Sequence, residues 1–177
     1  MPTIVRPLFV ALLALSLVAC GFHLRGQGPA SALQYRSAKV IGNGGAFNEL
    51  NRQLQLMQIN LNAAEPEITI QILSEGTDKQ VLSVNNNGQV SEYRLFYRIH
   101  FSASRAGEML IDDQTISLQR NISWDENSVL SKESEEANLI REMQRDGASQ
   151  IVRRINAASK GINGGQSMAS KTATTSQ

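Results

Sequence analysis

One cysteine occurs in 177 residues, at position 20. A thiol can serve as a nucleophile, a metal ligand, half of a disulfide or an acylation site, and with no second cysteine an internal disulfide is excluded. The preceding residues choose among the rest. Arg6 and the amino terminus form a modest positive n-region, and residues 8–18 are apolar apart from Ser16, a run too short to span a bilayer as a mature helix. That pattern is an export signal. Leu17-Val18-Ala19-Cys20 spells the bacterial lipobox, in which cleavage leaves the cysteine as the new N-terminus, carrying a diacylglycerol on sulfur and an acyl chain on nitrogen. Gly21 is not the aspartate that tends to retain such proteins at the inner membrane. Each buried methylene contributes about 0.8 kcal/mol, so two or three acyl chains hold a protein on its membrane. The alternative is a buried thiol closing a signal anchor.

Other chemistry finds few candidates. His23 stands close to the anchor and His100 lies on a strand among arginines, neither with a carboxylate at a recognisable catalytic spacing. Gly42-Asn43-Gly44-Gly45 precedes a helix and could cradle an anion, but it lacks the lysine and hydroxyl residue of a phosphate loop and reads as a turn. Asp125, Glu126 and the acidic residues at 133, 135 and 136 read as a loop and a charged first helical turn, without ligands converging from elsewhere. No catalytic residue, metal site or cofactor is therefore expected. Arg6 is one of 17 basic side chains, so loss of the leader leaves 16 against 16 acidic ones, and a neutral exported chain is no nucleic-acid binder.

The elements that would position any site follow from periodicity. With 41% hydrophobic and 19% charged residues the chain suits one globular domain. Four segments are expected: signal peptide 1–19, lipidated tether 20–37, a single domain 38–160 and a disordered polar tail 161–177. Within the domain, residues 38–41 make a short strand, and Phe47, Leu50, Leu54 and Leu61 fall at helical spacing over 46–60. Ile68, Ile70 and Ile72 alternate with polar residues, and Asn87-Gly88 suggests a type I′ hairpin. Tyr93, Leu95, Tyr97, Ile99, Phe101 and Ala103 share one face of the next strand, while Glu92, Arg94, Arg98, His100 and Ser102 share the other. After a turn near Ala106-Gly107, Ile116, Leu118, Ile122 and Trp124 form another apolar row, which Arg120 interrupts. A long helix starting at Ser131 or Ser134 buries Ile140, Met143, Ala148, Ile151, Val152 and Ile155, with Gly161 as its stop. The order β-α-β-β-β-α predicts an α+β fold, two helices on one face of a four-stranded mixed sheet.

Three stretches carry a resemblance. Cys20-Gly21-Phe22-His23-Leu24-Arg25 resembles the start of the mature chain in the LPS-assembly lipoprotein family, LptE; residues 87–95, NGQVSEYRL, are similar to that family's hairpin; and IREMQRDGASQIVRRI, residues 140–155, is similar to its closing helix. The resemblance implies a plug and scaffold in the LptD barrel, assisting barrel assembly and insertion of lipopolysaccharide into the outer leaflet. It places the chain on the periplasmic side of the outer membrane, within the barrel lumen and anchored through acylated Cys20. The alternative is a generic outer-membrane lipoprotein, a structural adaptor without lipopolysaccharide binding.

Lipopolysaccharide carries phosphates and carboxylates, which suit forked arginine donors. The candidates are Arg94 and Arg98 on the polar strand face and Arg120 in the apolar row. Arg94 and Arg98 could instead be a solvated or barrel-facing stripe paired with Glu92 or Asp113, and Arg120 could lay its stem over apolar surface with its head in water. The family's basic positions before the hairpin turn and in the following strand fall here on Asn86 and about Leu118, neither of them basic.

Overall fold

The computed structural model describes residues 33–172, with side chains described as far as 160. The leader, Cys20, His23, the first part of the tether and residues 173–177 lie outside the described residues. Strand β1 (Ala38–Ile41) leads into helix α1 (Gly45–Leu56), then β2 (Ile68–Val84), β3 (Val90–Arg105) and β4 (Glu108–Ser123); a 3₁₀ turn (Glu126–Ser128) opens helix α2 (Val129–Thr172). The sheet order is β1-β2-β3-β4, with β1 parallel to β2 and the other pairs antiparallel. The expected mixed α+β sheet with two helices on one face is the fold observed. No helix among the described residues is long and apolar enough to cross a membrane.

Alternation puts Leu95, Tyr97, Ile99, Phe101 and Ala103 of β3 into the core. Against them pack Leu50 and Leu54 of α1 and Met143, Ala148, Ile151, Val152 and Ile155 of α2, all buried. Gly147 of α2 lies directly over Ile99: a β-carbon there would stand 2.3 Å from Ile99 Cδ1. A bare backbone at this turn lets the helix sit close to the sheet.

Several boundaries differ from the sequence reading. Leu33 and Tyr35, expected in the tether, are buried, and the Tyr35 hydroxyl lies 2.7 Å from Ser159 Oγ, so the packed domain begins before β1. Helix α1 ends at Leu56 rather than near Asn60, because Gln58 takes a left-handed φ of 60° and Asn60 N–H turns to the Arg36 carbonyl. The cap of the last helical segment is Asp125, not Ser131 or Ser134: its carboxylate accepts from Asn127 N–H. Hydrogen bonds from Asn127 hold the Asp125 carboxyl below its ordinary range. Helix α2 continues past Gly161 to Thr172, where a stop and a disordered tail were expected; glycine permits a left-handed stop without compelling one.

The turns also exchange roles. At Asn85–Gln89 the Gly88 N–H bonds the Asn85 carbonyl, and Gly88 alone has positive φ, so this is a three-residue type I turn with a glycine bulge, locked by Asn85 Oδ1 accepting from Asn87 and Gln89 N–H. The type I′ signature, positive φ at both central residues, occurs instead at Ala106 (48°) and Gly107 (84°).

Candidate functional site

Among the described residues, one face of the sheet lies under the helices and the other carries no helix. Facing rows on the open side join Gly76, Arg98 and Ser117; Asp78, Phe96 and Gln119; and Gln80, Arg94 and Asn121. Ser74, His100 and Thr115 form a further row. This surface is a polar ladder with Phe96 half-buried in its middle. Arg94 Nε donates to Asn121 Oδ1 at 3.2 Å, the Arg98 guanidinium stands 5.5 Å from the Phe96 ring centre, and His100 Nδ1 lies 3.5 Å from Asp113 Oδ1 and 3.1 Å from Thr115 Oγ1. Arg94 and Arg98 thus have partners other than the suggested Glu92 and Asp113.

Arg120 is not with them. It occupies the helix-side face of β4 and pairs across to Asp146 on α2. The three candidate arginines are therefore divided, two on the open face and one clamping a helix to the sheet edge. Both partners of the clamp are substantially solvent-exposed, so Asp146→Asn is expected to shift the unfolding free energy by less than about 1 kcal/mol, read from urea melts.

Residues 42–45 do cradle an anion, and the chain supplies it. Glu75 Oε1 accepts from Gly45 N–H at 2.5 Å, while Oε2 accepts from Ala46 N–H and from the Tyr97 hydroxyl, each at 2.8 Å. The α1 N-terminus thereby gains the negative partner its orphan amides and dipole favour. Gly44 is required: its φ is 101°, and a β-carbon would stand 2.2 Å from Glu75 Oε1. The sequence reading missed Glu75 because Leu73 is bulged, which moves the inward-facing positions of β2 from even to odd numbers.

Burial, and then its hydrogen bond to Glu75, pushes the Tyr97 phenol well above the ordinary value near 10. A raised folded pKa means that the unfolded chain releases this proton first, so stability is intact below pH about 10 and falls as pH climbs beyond it. Tyr97→Phe is expected to flatten that alkaline decline in unfolding free energy measured across pH; a decline as steep as wild type would contradict the assignment.

A second unforeseen cluster closes the hairpin end. Lys79 Nζ stands 4.3 Å from the Tyr93 ring centre and 4.2 Å from that of Trp124, the rings meet edge to face at 5.2 Å, and the ammonium pairs with Glu136 of α2. The cation ties β2, β3 and the chain after β4 to the helix.

These features define a small α+β module in which Glu75, Lys79 and Arg120 act as clasps between the sheet and its helices. Residues 44–155 match the family LptE, lipopolysaccharide-assembly, and the chain belongs to that family. It is 25% identical to the LPS-assembly lipoprotein LptE of Pectobacterium atrosepticum over 157 residues, covering 84% of this chain and 83% of the relative. Among solved structures it is similar to a lipoprotein B from Nitrosomonas europaea (28% identity, TM-score 0.65, 79% of this chain and 93% of that one). The rare lipoprotein B of Shewanella oneidensis shares the fold (18% identity, TM-score 0.65, 72% and 98% covered).

Proposed function

We propose that this protein acts in lipopolysaccharide assembly as an outer-membrane lipoprotein, acylated at Cys20, that plugs and scaffolds the LptD barrel and assists insertion of lipopolysaccharide into the outer leaflet. The observation that carries this reading is the family match across 44–155, which spans α1, strands β2, β3 and β4 and most of the core-packing part of α2. The Pectobacterium relative's name, LPS-assembly lipoprotein, supports it. The open face supports it physically, since a chain enclosed by a wet lumen needs a hydrogen-bonding exterior over a closed apolar core, and the rows around Arg94 and Arg98 supply one. Arg94 and Arg98 are the proposed lipopolysaccharide contacts; Arg120, held by Asp146, serves the fold. Depleting the protein in its native host and labelling surface lipopolysaccharide with a membrane-impermeant reagent tests the role. Loss of surface label with accumulation inside is expected, and unchanged labelling would overturn it.

A further inference from the structure

Between α1 and α2 lies a cleft of about 400 Å³ lined by Gly45, Asn48, Glu49, Arg52, Arg141, Gln144 and Arg145. Its lining carries three arginines and one acidic residue. Arg52 is committed to Glu49 through two N–H bonds, and this contact, aided by the field of Arg145, keeps the Glu49 carboxyl below its ordinary range. Arg141 makes a single bond to Asn138, and among the described residues the Arg145 guanidinium has no hydrogen-bonded or ion-paired partner. Two forks one helical turn apart on α2 are thus largely unspent.

We propose that this cleft binds a phosphate-bearing headgroup, held by Arg141 and Arg145 with amide donors from Gln144 and Asn48. A lone carboxylate would satisfy one fork; two forks lining the same cleft one helical turn apart match a group presenting several anionic oxygens and more than one charge. The volume falls within the range of small-molecule sites and exceeds what a bare phosphate fills, leaving room for the sugar or glycerol that bears it. Only the choice of a lipid as the phosphate's source rests on the assembly role proposed above; the cleft does not.

Calorimetric titration of the intact acylated chain in nonionic detergent, with inorganic pyrophosphate in one arm and purified lipopolysaccharide in the other, tests the site. Arg141→Gln/Arg145→Gln is expected to weaken binding at least about tenfold, because the charged donors that hold the phosphate oxygens are lost. Arg153→Gln, an exposed position of α2 outside the cleft, should leave pyrophosphate binding unchanged, and Glu49→Gln, which removes the competing carboxylate, should tighten it, a gain that misfolding cannot imitate. Weakened lipopolysaccharide binding, with or without a pyrophosphate effect, assigns the phosphate to the lipid. A loss confined to pyrophosphate assigns it to free phosphate. Unchanged affinity for both probes in the double variant, or binding of neither probe by wild type, overturns the proposal. Co-purification with the barrel is independent of this result, so failure here is distinguishable from failure of the assembly role.

Discussion

Glu75→Ala is expected to lower the unfolding free energy by about 3 kcal/mol, because it orphans three donors at once: the amides of Gly45 and Ala46 and the hydroxyl of Tyr97. Tyr97 is 1% exposed, so its hydroxyl has little water to turn to. Glu75→Gln keeps one carbonyl acceptor and should fall between wild type and alanine in a urea melt. In a double-mutant cycle with Tyr97→Phe, the double variant's loss should fall short of the sum of the two single losses by about 1 kcal/mol, since removing either partner already breaks the shared bond. Strict additivity would mean that the carboxylate and the phenol do not interact.

Gly147→Leu is expected to be of similar size. Leucine favours a helix interior over glycine by roughly 1 kcal/mol, so propensity alone predicts a gain. Packing reverses the sign: the β-carbon position is 2.3 Å from Ile99 Cδ1 and 3.7 Å from Leu118 Cδ1, and Ile99 is fully buried. Forcing α2 off the sheet to admit a leucine is expected to cost about 3 kcal/mol net. Gly147→Ala is the informative companion, because only the tip of Ile99 must swing; its thermal midpoint should lie close to wild type. A Gly147→Leu chain as stable as wild type would show that the helix does not rest on this backbone contact.

What the sequence made legible was whatever a single period carries. In β3 the alternation from Tyr93 to Ala103 runs unbroken, and the structure buries that face from Leu95 to Ala103 with Tyr93 half-buried at its end. The same parity places Arg120 in the inward row of β4 and Arg94 and Arg98 on the outward face of β3, so their separation was implicit in numbering before any coordinate. What interrupts a period was not legible. The bulge at Leu73 changes which residues of β2 point inward, bringing Glu75 and Lys79 to the helix side, and nothing local distinguishes that strand from a regular one. Asn87-Gly88 misled on turn type because Asn85, one residue earlier, captures two amides with its side chain and selects a longer loop. The arginine cleft was invisible for a different reason: Arg52 and Arg145 are far apart in sequence, and only helix packing brings them together.

Gentle detergent extraction of native outer membranes, capture of the intact lipidated chain and mass spectrometry of what accompanies it tests the account most directly. A large outer-membrane β-barrel recovered in near-equal amount, with an acylated Cys20 at the mature N-terminus, is the result predicted. A chain recovered alone, with a free thiol or in the soluble fraction, would contradict it.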